Sequence, residues 1–194
     1  MVVSERTGQA DLNTAKAEKP SALLFEGYLF STPKRSMKGT LLAMWPFKKR
    51  ALRAEDLPID DAWSVSQGDY NGKPIVVRAI TGYRKFGGVI GYAHQVGIAV
   101  PLNAPEPSGL PSSIEIGALD SIEDSICGLL ETQRESLYVA AITSNGMREF
   151  VFYTRSPEQV KQKFEQLRRS INSHQIQLMI QQDKDWQVYS RLVK

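Results

Sequence analysis

The dipeptide Asn145-Gly146 stands between two runs of β-branched and aromatic residues within Leu137 to Thr154, and no other feature constrains this chain as strongly. Both residues tolerate the positive φ that a two-residue type I′ turn requires, so the stretch predicts a β-hairpin of fixed register. Counting outward from the turn pairs Thr143 with Arg148, Ala141 with Phe150 and Val139 with Phe152 on one face. On the other face it pairs Ile142 with Glu149, Ala140 with Val151 and Tyr138 with Tyr153. The first set reads as core. The second, with Tyr138, Ile142, Val151 and Tyr153 around a single acid, reads as an open amphipathic face suited to a protein partner or a second copy of the chain.

The other elements assemble around this hairpin. Trp63 to Gln67 alternates apolar and polar, Asn71-Gly72 supplies a second hairpin turn, and Ile75 to Ile80 forms its return strand. A glycine-rich loop spans Gly82 to Gly91, and a third strand runs from His94 to Leu102. Asp120 with Glu123 marks the start of a first helix, whose stripe is Ile122, Ile126, Leu129 and Leu130. Ser156-Pro157-Glu158-Gln159 opens a second helix, with Val160, Phe164, Leu167 and Ile171 buried. A last strand covers Gln175 to Gln181. From His94 the order is strand, helix, strand, strand, helix, strand. The expectation is an α+β fold, a ferredoxin-like (split βαβ) two-layer sandwich with an additional N-terminal hairpin.

Composition decides where this domain begins. Of the 194 residues, 42% are hydrophobic and 23% charged, enough for one ordinary domain plus an extension. The net charge of +3 is uneven: residues 1–55 hold 10 Lys and Arg against 5 Asp and Glu, the remainder 14 against 16. Residues 1–56 are therefore read as a disordered or loosely ordered basic extension, and 57–194 as a single mildly acidic domain. Nucleic acid is disfavoured as a partner of the domain, but the basic cluster from Lys34 to Arg53 around Trp45 and Phe47 could tether to it or to anionic lipid. The apolar runs at 21–30 and 41–47 are too short to span a bilayer, and no secretory signal precedes them. A single cysteine, Cys127, fits a reducing cytoplasmic setting.

The residues supply no catalytic set. Cys127 falls beside a buried stripe, and His94 and His174 lie at strand edges outside any metal-ligand spacing. The glycines of 82–91 are not followed by the Lys-Ser/Thr of a phosphate loop, and Asp183 with Asp185 is too small an acidic cluster for a hard cation. No cofactor, metal or enzymatic activity is expected. The Arg148 to Tyr153 run loosely follows the aromatic strand of RNA-recognition motifs but lacks its glycines.

Trp63, the turn Asn71-Gly72-Lys73-Pro74, the block Ile142 to Tyr153 containing Asn145, Gly146 and Arg148, and the ending Asp185-Trp186-Gln187-Val188-Tyr189 together resemble the bacterial domain-of-unknown-function family numbered 695. The hairpin block and the Asp-Trp-x-x-Tyr ending are the most specific of these marks. The resemblance covers about Pro58 to Lys194. It implies a structural kinship with the protein regulator B of ribonuclease E activity, and hence a regulator that binds its target without catalysis. No catalytic residue comes with it. The extension and the loop at 82–91 depart from the family pattern.

Overall fold

The computed structural model describes residues 50, 52–57 and 62–193. The expectations for residues 1–49, including the basic cluster up to Lys49, lie outside the described residues. Six strands form one antiparallel sheet: β1 (Trp63–Tyr70), β2 (Lys73–Ile80), β3 (His94–Pro101), β4 (Ser136–Ser144), β5 (Met147–Thr154) and β6 (Gln177–Gln182). Their spatial order is β1-β2-β4-β5-β3-β6. Helix α1 (Ser113–Leu130) joins β3 to β4, α2 (Pro157–Ser170) joins β5 to β6, and the short α3 (Gln187–Leu192) follows β6.

Both Asn-Gly turns form as the sequence predicts. Asn71 and Gly72 take φ of 52° and 74°, Asn145 and Gly146 take 48° and 74°, and the flanking pairs are Tyr70 with Lys73 and Ser144 with Met147. Helix α2 starts at the expected Ser156-Pro157. Helix α1 starts earlier than Asp120, with the extended Ser112 at its N-cap. Ser112 and Glu115 have capping-box spacing, yet the Glu115 carboxylate turns away to accept the backbone N–H groups of Asn103 and Ala104.

The register of β4 and β5 departs from the expected one beyond Ala140. Thr143–Arg148, Ile142–Glu149, Ala141–Phe150 and Ala140–Val151 pair as counted. A β-bulge then leaves Val139 between pairs, so Tyr138 faces Phe152 and Leu137 faces Tyr153. One extra residue exchanges the faces. Tyr138 joins Ala141, Phe150, Phe152, Val96, Ile98 and Val100 under α1 and α2, while Val139 moves to the opposite side beside Ala140.

That opposite side is not open. Trp186, Val188, Tyr189, Leu192 and Val193 from the C-terminal end, Tyr83, Val89 and Tyr92 from the loop after β2, and Leu52 cover Ile75, Val77, Ala79, Ile142, Val151 and Tyr153 in a second core. Leu52 is bridged to Val89 and buried, five residues before the domain boundary expected at 57. The glycine-rich stretch is thus a packed lining of the sheet. Gly88 shows why it needs glycine there: at φ 105°, a Cβ would fall 2.5 Å from the Trp186 ring.

Candidate functional site

The four residues expected to form a contact surface are interior. Tyr138 and Ile142 are 5% and 3% exposed, and Val151 and Tyr153 are fully enclosed. Tyr138 packs on Phe152 with ring centroids 4.9 Å apart, and its hydroxyl donates to Glu123 at 3.0 Å. Tyr153 stacks on Trp186 and donates to Asp183 at 2.6 Å. Burial raises both phenol pKa values, with Glu123 and Asp183 adding to the effect. These hydroxyls are structural donors. The Asp183 carboxylate also accepts the N–H groups of Gln187 and Val188, so it caps α3, while Asp185 is exposed.

Two further ionisable groups of the interior, Glu115 and His174, are likewise bound up in the fold. Glu115 and His174 are both buried, with Oε1 and Nε2 2.9 Å apart, and they tie the start of α1 to the segment before β6. Burial alone would raise the Glu115 pKa, but the His174 bond and two backbone N–H groups hold it below the ordinary value. Burial and three nearby acids push the Cys127 thiol up to about 12, which leaves no thiolate for chemistry. Among the described residues no group of three His, Cys, Asp or Glu could hold a metal. Nor is any helix there long and apolar enough to cross a membrane.

One surface gathers residues that the sequence singled out. Among the described residues, the two helices pack over β4, β5, β3 and β6 and not over β1 and β2, which makes a groove between the first hairpin and α1. Val65, Val76, Arg78, Asp120, Ala141, Thr143 and Arg148 line a cavity of about 190 Å³ there. Trp63 stands at its end, 41% exposed, with its ring 5.5 Å from that of Tyr138. The Arg78 guanidinium lies 5.1 Å above the Trp63 ring and is clamped by the Glu123 carboxylate. Burial lowers the Arg78 pKa and Glu123 more than offsets it, so the net shift is upward. Arg148 reaches Thr143 Oγ1 at 3.1 Å and Asp120 at 3.5 Å. Val65, 64% exposed, stands over the floor.

Of the positions marked by the sequence, Arg148 lines this groove and Trp63 flanks it through its contact with Arg78. Asn71, Gly72, Asn145 and Gly146 shape turns, and Trp186 and Tyr189 fill the second core. The place of Arg78, Glu123 and Asp120 at this groove was not anticipated. The signal for Arg78 was present, since a lone cation alternates with Val76 and Ile80 along β2 on the face that carries Trp63 across the hairpin.

A family model described as a family of unknown function (DUF695) matches residues 61–193. No curated protein and no solved structure matches the chain.

Proposed function

The chain belongs to the family of unknown function DUF695, and we propose that its domain is a non-catalytic binding module whose contact surface is the groove between the β1–β2 hairpin and α1. The observation that carries this reading is the convergence of Arg78 and Arg148, far apart in sequence, on one cleft that Val65 and Val76 also line, with the Trp63 ring against the Arg78 guanidinium at its rim. Aromatic and arginine side chains beside an apolar floor are the usual anchors of a protein contact.

The charge pattern favours a protein over nucleic acid. Each groove arginine already has a carboxylate, Arg78 with Glu123 and Arg148 with Asp120, so a phosphate backbone would find matched charges instead of free cations. The order β4-β5-β3-β6, with α1 and α2 on one side, supports reading the core as a split βαβ sandwich extended by β1 and β2. The kinship with the ribonuclease regulator implied by the sequence would rest on that arrangement, and a regulator of that kind acts by binding.

The test is co-purification from a lysate of the source organism. A partner held in stoichiometric amount by the native chain should be lost by the double variant Trp63→Ala, Arg148→Glu and kept by Lys161→Ala on the exposed side of α2. Equal capture by the groove variant and the native chain would refute the groove as the contact.

A further inference from the structure

Strand β1 ends the sheet, and no described strand pairs with its outer edge. The type I′ turn at Asn71-Gly72 makes Tyr70–Lys73 a hydrogen-bonded pair, so the even-numbered residues of β1 bond inward to β2. The bond from Thr81 N–H to the Ala62 carbonyl, 2.8 Å, continues the same ladder. The odd-numbered residues Trp63, Val65, Gln67 and Asp69 therefore direct their N–H and C=O groups outward. Nothing in this strand discourages pairing. It holds no proline, lysine or bulge, and its one charge is Asp69.

We propose that this edge pairs with β1 of a second copy of the chain, antiparallel about a two-fold axis at Ser66, which makes one twelve-stranded sheet across a homodimer. The proposal rests on reading the adjacent groove as a contact surface and specifies how that surface is completed. The choice of a second copy follows from the side chains. With Ser66 opposite Ser66, Val65 lies opposite Gln67 and Trp63 opposite Asp69 of the other copy, all on the groove side. Each Asp69 then comes beside the Trp63 ring that carries the Arg78–Glu123 pair, once on each side of the axis and away from the other Asp69. No like charges oppose. The two Val65 side chains, the most exposed apolar groups of the strand, become diagonal neighbours at the axis. The two grooves join into one trough, floored by β2 and β1 of both copies and walled by their two α1 helices, and this trough is where a further protein would lie.

The register makes a sharp test. Opposed Ser66 residues form a non-hydrogen-bonded pair, whose Cα atoms lie about 4.5 Å apart, within the range a disulfide bridges. In a Cys127→Ser background, which removes the only native cysteine, Ser66→Cys should oxidise to a covalent dimer. Ser64→Cys should not, since its two copies stand about 13 Å apart along the strands. Gln67→Pro deletes an outward N–H and leaves the β1–β2 ladder whole, so it should convert the dimer to monomer in sedimentation while the circular dichroism spectrum stays unchanged. A native chain that sediments as a monomer at high concentration overturns the proposal. So does a dimer that survives Gln67→Pro, or one that cross-links equally well through position 64. None of these variants alters Arg148, whose replacement by Glu alone, read by loss or retention of a different protein, judges the binding reading separately.

Discussion

Trp186 lies flat on Tyr153, with ring centroids 4.0 Å apart and planes inclined by 12°. This stack closes the second core. Trp186 holds a left-handed backbone at φ 52°, donates its indole N–H to the Tyr92 carbonyl at 2.9 Å, and meets Tyr83 and Tyr189 edge-on. It ties α3 and the loop after β2 to the sheet at once.

Trp186→Ala should therefore cost about 3–5 kcal/mol, the range for emptying a large aromatic site. Trp186→Phe keeps most of the packing and loses the indole bond, for about 1 kcal/mol from the bond itself. Urea unfolding followed by circular dichroism separates the two. A loss under 1 kcal/mol in the alanine variant would show that α3 is not part of the cooperative unit.

The contrast between this core and the central hairpin shows what the sequence made legible. Asn145-Gly146 and Asn71-Gly72 act through their own φ angles, and Ser156-Pro157 through its own first turn, so each could be read locally. The bulge at Val139 has no glycine to announce it. It is settled by packing, with Tyr138 gaining a place between Trp63 and Phe152 and a bond to Glu123. A six-residue helix such as α3 carries too little periodicity to reveal that it covers a sheet face, and that cover is what turned an expected surface into core. Of the candidate site, Trp63 and Arg148 were visible as marks, but that they border one groove depends on β2 joining β4, a long-range pairing with no local signature.

The Glu115–His174 pair offers a second prediction. Removing the imidazole strands a carboxylate that is 6% exposed, and breaking a buried pair in this way typically costs about 3–5 kcal/mol. Two N–H groups, those of Asn103 and Ala104, still reach Glu115, so His174→Ala should fall at the lower end, about 3 kcal/mol. Because the folded-state pKa of Glu115 is depressed, its contribution is present above the unfolded value of about 4.3 and is lost as pH falls through the folded one. The deficit of His174→Ala should therefore shrink in acid. Denaturation of both proteins across pH 3 to 7 measures it; a deficit that does not change with pH would assign the cost to packing alone.

Glu149 behaves oppositely. Its carboxyl is 4% exposed, and burial raises its pKa to about 8. The unfolded chain releases this proton near pH 4.3 while the folded one keeps it, so stability attributable to the protonated group is complete below about 4.3 and declines as pH rises to about 8. Glu149→Gln removes the titration. Its stability relative to the native chain should rise steadily from pH 5 to 8 and level off beyond. A difference between the two proteins that is flat with pH would show that the carboxyl finds solvent or a cation in solution.

The same carboxyl explains a glycine in the middle of β3. Gly97 and Glu149 sit diagonally on the second-core face, with Gly97 opposite Val151 and Glu149 opposite Ala99. A Cβ on Gly97 would fall 2.3 Å from Glu149 Oε1 and 3.3 Å from the Met179 methyl. Glycine costs a strand interior some backbone entropy, so Gly97→Ala would ordinarily help; here the clash reverses the sign and should destabilise by about 1–3 kcal/mol, as overpacking does. Glu149→Ala alone opens a void but removes an unpaired buried acid, and those effects oppose. The decisive quantity is the coupling. In the double variant Gly97→Ala, Glu149→Ala the new methyl occupies space the carboxyl has left, so the pair should be more stable than the sum of the single changes predicts, by about 1 kcal/mol or more. Four urea curves at pH 7 close this cycle. Additive effects would mean that the carboxyl swings away from Gly97 at no cost, and that the close approach does not hold its position.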